Sequence, residues 1–146
     1  MKTSALSFLF LCFINGNLQG APNPWILSDL SVNQIIELED LQFDQDNFDL
    51  SDASMRSLDE LKSFLLENKS VKIELRGHTN TIPSHEYCDE LSTNRAQSVK
   101  DYLVDSGISP DRLFAKGYGK KMPRTPGITD LERNSNQRVE VKVLAL

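Results

Sequence analysis

Three short polar blocks of the sequence contain side chains that can recognise a charged ligand. They are residues 77–80, residues 91–96 and residues 136–139. The guanidinium of Arg95 can hold a carboxylate through two parallel hydrogen bonds, and Asn80 adds a polar amide at the end of the first block. We therefore expect a ligand site that is built from the ends of a strand, a helix and a last strand.

Arg95 lies on the apolar stripe of a predicted helix. It is four residues from both Leu91 and Val99, so the three side chains share one helix face. An unpaired buried charge costs several kcal/mol, so this guanidinium must meet an anion or another acceptor. Two interpretations are open from the residues alone, a carboxylate within the protein and a carboxylate on a ligand.

Apolar periodicity predicts the elements that position these blocks. Alternation predicts strands near residues 35–43, 71–75, 113–118 and 139–144. Three- and four-residue spacing predicts a helix from about residue 51 to 68 and a long helix from 83 to 106, ended by Gly107. The connection over residues 123–135 is expected to be long and mobile. The resulting class is α/β, a two-layer βαβαβ-β sandwich whose helices pack on one face of a small mixed sheet.

The N-terminus predicts an exported protein. Residues 1–20 combine one basic residue, a short apolar run and a polar end, which is typical of a secretory signal peptide. An uncleaved anchor and a buried core segment are the alternatives, and Leu11 is too large for lipoprotein processing at Cys12. Residues 21–31 contain two prolines and are expected to be a flexible lead-in to one domain at residues 32–146. The chain is therefore expected to be exported.

Charge and cysteine content exclude several classes of function. The chain has 16 basic and 21 acidic residues, a formal net charge of −5, which argues against binding to nucleic acid or to anionic membranes. No segment after residue 20 is long and apolar enough to span a bilayer. Without Cys12 the mature chain keeps one cysteine, Cys88, expected to be a buried apolar side chain or to pair with another chain.

Several blocks together resemble the OmpA C-terminal-like domain, the peptidoglycan-binding module that also occurs in Pal lipoproteins and in the flagellar stator protein MotB. The similar blocks cover roughly residues 32–144, and they are Gly77-His78-Thr79-Asn80, Tyr87, Leu91-Ser92, Arg95-Ala96, Val99, Tyr102-Leu103, Gly107-Ile108, Asp111-Arg112-Leu113, Gly117-Tyr118-Gly119 and Asn136 with Arg138-Val139-Glu140.

The resemblance implies non-covalent binding of the peptide stem of peptidoglycan at its diaminopimelic acid, with no cofactor. It also implies a location in the periplasm, at the cell wall or outer membrane. In the family an aspartate at the position of Asn80 accepts from the ammonium, and an arginine at the position of Arg95 binds the carboxylate. This chain therefore keeps the donor and loses the charged acceptor. Cys88 and Gln137 also depart from the asparagine and arginine that are common at their positions. The predicted ligand-binding residues are Asp46, Asn80, Cys88, Leu91, Arg95, Asn136 and Arg138.

Three interpretations of this altered site follow. The chain binds the same stem more weakly, with Asp46 or another acid replacing the lost charge; it binds a different stem; or it is a degenerate scaffold that contacts outer-membrane or periplasmic proteins. An enzyme is not expected, because His78, His85 and Cys88 match no zinc-site spacing and lack the accompanying groups of a covalent catalyst. No metal site is expected either.

Overall fold

The computed structural model describes residues 23–38, Leu41, Phe43 and residues 46–146. The predicted signal peptide at residues 1–20 lies outside these residues. The strands are β1 (Ile35–Glu37), β2 (Lys72–Gly77), β3 (Leu113–Gly117) and β4 (Val139–Ala145). The helices are α1 (Asp52–Ser57), α2 (Asp59–Glu67), α3 (His85–Asp105) and α4 (Asp130–Asn136). Two short 3-10 turns occur at Leu27–Asp29 and Pro110–Arg112.

The four strands form one mixed sheet in the order β1-β4-β2-β3. β2 and β3 are parallel, whereas β4 runs antiparallel to both β1 and β2. The last strand of the chain therefore lies between the first and the second. This order brings the residues just before β4 next to the loop that follows β2, since Gly77 pairs with Val139.

One face of the sheet and the helices enclose the hydrophobic core. Period-two alternation directs Ile73 and Leu75 of β2 to the same face, and both are fully buried. The helices contribute further fully buried side chains to this cluster, namely Leu58, Leu61, Leu65, Val99 and Leu103. The predicted α/β class and the packing of helices on one face of a mixed sheet are confirmed.

The start of α3 packs directly on the sheet at two glycines. A Cβ atom on Gly77 would lie 2.0 Å from the backbone oxygen of Ser92, and one on Gly117 would lie 2.6 Å from the Ser92 hydroxyl. Only glycine lets the strand backbone come this close to the helix. The close approach fixes the position of Arg95 one turn further along α3.

Three elements differ from the sequence-based expectation. β1 has three residues rather than nine, and the first long helix is divided at Leu58 into α1 and α2. The connection expected to be long and mobile contains most of α4. Thr129 and Glu132 form a capping box at its start, in which each side chain bonds the backbone N–H of the other. Threonine followed three residues later by glutamate was the sequence signal for this helix.

The N-terminal segment differs from the flexible lead-in that the sequence predicts. Trp25 and Leu30 are buried and belong to the main core cluster. The Trp25 ring packs against Phe64 of α2, with 5.9 Å between ring centroids. Two prolines suggested an unstructured segment, but burial of one large aromatic ring outweighs the entropy of ordering it. No helix in the described part of the chain has the length and apolar character needed to cross a bilayer.

Candidate functional site

The loop after β2 presents Asn80 at the carboxyl end of the sheet. The Asn80 side-chain oxygen accepts a hydrogen bond from the backbone N–H of Ile82 at 3.2 Å, which closes a local turn. The backbone N–H of the preceding residue, Thr79, donates to the carbonyl of Gly119 at 3.0 Å. Asn80 is therefore held half-buried, with its amide at the wall of a cavity.

Asp46 approaches the same cavity from the loop before α1. Its backbone adopts a left-handed conformation, with φ of 57°. The Tyr87 hydroxyl donates to Asp46 Oδ1 at 2.6 Å, which ties this loop to the first turn of α3. This hydrogen bond to the carboxylate raises the pKa of the Tyr87 phenol, because the phenolate would lose it and meet a like charge. The other carboxylate oxygen remains available to a ligand.

A cavity of about 420 Å³ brings together four of the predicted site residues. They are Asp46, Asn80, Cys88 and Leu91. The Cys88 thiol is buried and unoxidised, and it lies 3.8 Å from the backbone oxygens of Asn80 and Pro83. The prediction of a buried cysteine is confirmed, and its contacts hold the Asn80 loop against α3.

Arg95 lines a second cavity, of about 340 Å³, which adjoins the first. The two cavities share Phe43, Asn134 and Gln137. Arg95 Nε donates to the backbone oxygen of Asn47 at 3.0 Å, and its Nη1 donates to Gln137 Oε1 at 3.1 Å. The guanidinium lies 5.0 Å from the centre of the Phe43 ring and is only 2 % exposed.

Burial lowers the pKa of Arg95, because the charged form loses hydration, while the nearby Tyr87 and Asp46 act in the opposite direction. The two hydrogen bonds connect the loop that carries Asp46 to the start of β4. Arg95 thus holds together the parts of the chain that form the site.

Two predicted site residues line neither cavity. Asn136 is fully buried, and its side-chain oxygen accepts from the backbone N–H groups of Arg124 and Thr125 at 2.7 and 3.0 Å. Arg138 forms an ion pair with Glu140, with 2.7 Å between Nη2 and Oε1. Both side chains support the loop between β3 and α4, and a direct ligand contact by either remains a prediction.

Helix α4 adds wall residues that the sequence analysis missed. Asp130, Arg133 and Asn134 line the larger cavity. Arg133 forms an ion pair with Asp130, and its Nη1 donates to the carbonyls of Gly127 and Ile128 at 3.2 and 2.6 Å. These side chains were missed because the connection was not expected to be helical.

His78 is committed to a buried ion cluster beneath the cavity. Its Nε2 lies 3.2 Å from Glu140 Oε2, and its ring stacks on Tyr118. Burial alone would raise the pKa of Glu140, but the hydrogen bond from His78 and the charges of His78 and Arg138 lower it to about 2. Within the described residues, no group of three or more histidine, cysteine or acidic side chains is placed to hold a metal ion.

Comparison with known proteins identifies the family. The sequence profile of the OmpA family matches residues 42–137, which include strands β2 and β3 and every residue that lines the two cavities except Leu41. The chain belongs to the OmpA family. The resemblance seen in the polar blocks is thereby confirmed.

Other members of the OmpA family share much of this chain. Outer membrane porin F of Pseudomonas fluorescens is 35% identical over 78% of this chain and 35% of its own length. The peptidoglycan-associated lipoprotein of Pseudomonas aeruginosa is 36% identical over 68% of this chain and 59% of its own. The chain thus spans about one third to three fifths of the length of these relatives. A putative MotB-like protein from Desulfovibrio vulgaris has a similar structure, with a TM-score of 0.66 and 29% identity over 77% of this chain and 72% of its own.

Proposed function

We propose that this OmpA-family chain is an exported, non-catalytic domain that binds the peptide stem of peptidoglycan at its diamino acid. The observation that carries the proposal is the presence of Asp46 and Asn80 in the wall of one cavity. One related protein is itself described as peptidoglycan-associated. The volume of about 420 Å³ suits the end of one side chain of a small ligand.

Asp46 supplies the charge that Asn80 lacks. An ammonium in the cavity can donate one hydrogen bond to the Asn80 carbonyl and another to the free oxygen of Asp46, since an ammonium has three donors and a carboxylate accepts several. A charge-assisted hydrogen bond is about twice as strong as a neutral one. Asp46 therefore contributes most of the binding energy for the ammonium, and Tyr87 holds the carboxylate in place.

Co-sedimentation of the mature chain with purified sacculi tests this proposal. We expect the wild type to sediment, and Asp46→Asn to weaken binding about tenfold because a charged acceptor becomes neutral. Asn80→Asp restores a second charged acceptor and should strengthen binding about ten- to thirtyfold. Arg95→Ala should also reduce sedimentation, because it releases the loop that carries Asp46.

The matched control is Asp49→Asn, which removes a charge from the same loop at an exposed residue that lines neither cavity. Its binding should equal that of the wild type. Stem binding is refuted if no variant sediments above background. The role of Asp46 is refuted if Asp46→Asn and Asp49→Asn bind alike.

A second candidate function is protein interaction, and one observation favours it. Ile82, Ile128 and Leu131 are 66, 76 and 81 % exposed. The segments that carry them adjoin, since a Cβ on Gly127 would lie 2.4 Å from the Thr81 hydroxyl. Exposed apolar groups of this kind mark surfaces that contact other proteins. Failure of every variant to sediment with sacculi would favour this function, with an outer-membrane or periplasmic protein as partner.

A further inference from the structure

Gln137 lies between the two cavities and occupies a donor of Arg95. Its side-chain oxygen accepts from Arg95 Nη1 at 3.1 Å, and the residue lines both cavities. The Nε2 group of Gln137 makes no hydrogen bond to the described residues, so it offers a neutral donor to a ligand. An arginine in this place could not accept from Arg95, since arginine has no acceptor atom.

The guanidinium groups around the cavities are engaged by the protein. Arg95 donates to Asn47 and Gln137, and Arg133 donates to Gly127 and Ile128 and pairs with Asp130. A ligand carboxylate would therefore compete with these protein acceptors for the guanidinium groups.

The charge of the larger cavity also disfavours a carboxylate. Asp46 and Asp130 are two carboxylates in its wall, and Arg133 is its one guanidinium among the described lining residues. A ligand carboxylate near Asp46 would meet a like charge, which is unfavourable in a partly enclosed site. An ammonium would be attracted by Asp46, and a neutral amide oxygen could accept from Gln137 Nε2.

We propose that Gln137 and Asp46 select a stem whose diamino acid ends in an ammonium with no carboxylate on the same carbon. The inference rests on the proposed stem binding and specifies its ligand. Two chemical sources share this feature, diaminopimelate whose side-chain carboxyl is amidated and lysine. Gln137 is the specificity-determining residue, because its side-chain oxygen occupies an Arg95 donor that a free carboxylate would use.

Titration calorimetry with three soluble stem peptides tests the inference. The peptides carry free diaminopimelate, amidated diaminopimelate or lysine at the same position. We expect the wild type to bind the amidated or the lysine stem about tenfold more tightly than the free diaminopimelate stem. Whichever of these two peptides binds more tightly identifies the diamino acid that the site recognises.

Two variants and one control assign the preference to Gln137. Gln137→Arg adds a carboxylate donor and should shift the preference at least about tenfold towards free diaminopimelate. Gln137→Leu removes the acceptor that Arg95 Nη1 has in Gln137 without adding charge, so it should shift the preference in the same direction by less. The control, Gln97→Arg, adds the same charge on an exposed residue of α3 outside both cavities and should leave the preference unchanged.

Two outcomes overturn the inference while stem binding stands. In one, the wild type binds free diaminopimelate as tightly as the other stems or more tightly. In the other, both Gln137 variants bind but keep the wild-type preference. If none of the stem peptides binds and the protein does not sediment with sacculi, the proposed function itself fails.

Discussion

Buried charges in this protein serve to join segments that are distant in sequence. Arg95 connects the loop before α1 to the start of β4 through Asn47 and Gln137. Glu140 connects β4 to His78, which follows the end of β2, and to Arg138, which immediately precedes β4. A buried charge is tolerated only where several hydrogen bonds replace its hydration, so removal of one partner leaves another unsatisfied.

The Glu140 cluster predicts a specific acid sensitivity. Its folded-state pKa of about 2 lies below the ordinary 4.5, so the ionised carboxylate stabilises the fold above about pH 4.5. That stability is lost as the pH falls from about 4.5 through 2. We expect Glu140→Gln to cost on the order of 2 kcal/mol at neutral pH, and to flatten this part of the stability curve.

Urea denaturation across this pH range measures the effect. Glu67→Gln, at an exposed residue near the end of α2, is the control and should keep the wild-type pH profile. Equal pH dependence in Glu140→Gln and the wild type would show that this ion cluster does not determine acid stability.

Among the elements, α3 does most to position the site. Ser84 accepts from the backbone N–H of Tyr87 and so caps the helix at its N-terminus. The first turn carries Tyr87 and Cys88, the second Leu91 and the third Arg95. α3 packs directly on the two glycines of β2 and β3, and this contact fixes the position of these side chains relative to the end of the sheet.

The close approach of β2 and α3 predicts a large cost for a single methyl group at Gly77. Gly77→Ala places a Cβ against the backbone of Ser92, which cannot rotate away, so we expect a loss of about 3 kcal/mol. Gly107→Ala is the comparison, because its φ of +97° strains the backbone but no atom lies within 4 Å of the added Cβ. It should cost about 1 kcal/mol, close to the usual left-handed penalty. Chemical denaturation gives both values, and equal losses would contradict close packing at Gly77.

At the scale of the whole molecule, the N-terminal segment closes the core on the side of α2. Trp25 is 8 % exposed and packs on Phe64, so the folded unit extends to the N-terminal side of the expected boundary at residue 32. The cavity that Asp46 and Asn80 line lies elsewhere, at the carboxyl end of β2. Stability at the N-terminal segment and binding at the cavity should therefore be separable.

This separation predicts the behaviour of a Trp25 variant. Trp25→Ala should cost about 3 kcal/mol, since it leaves a cavity beside Phe64, while binding to sacculi by the folded fraction is unchanged. Ile26→Ala, at a neighbour that is 49 % exposed, should change stability by less than about 0.5 kcal/mol. Circular dichroism in urea measures both. A wild-type stability for Trp25→Ala would show that the segment is not part of the folded unit.

The sequence by itself determined the α/β class, the extent of α3 and the burial of Arg95. These properties depend on periodicity and capping over a few residues, such as Gly107 after the last turn of α3. The polar blocks were also sufficient to identify the family. The same reasoning could have predicted α4, because its capping box is a local sequence signal. The two prolines and the glycine of the connection instead indicated a loop.

Only the tertiary structure decided which side chains meet in the site. Tyr87 and Asp46 are 41 residues apart, and Arg95 and Gln137 are 42 apart. Their contacts exist because β4 lies between β1 and β2, an order that no local pattern specifies. The periodicity of a strand states which face is buried but not which strand is its neighbour. For this physical reason the sequence predicted a site at Asn80 and Arg95, whereas the strand order added Gln137 and α4 to its walls.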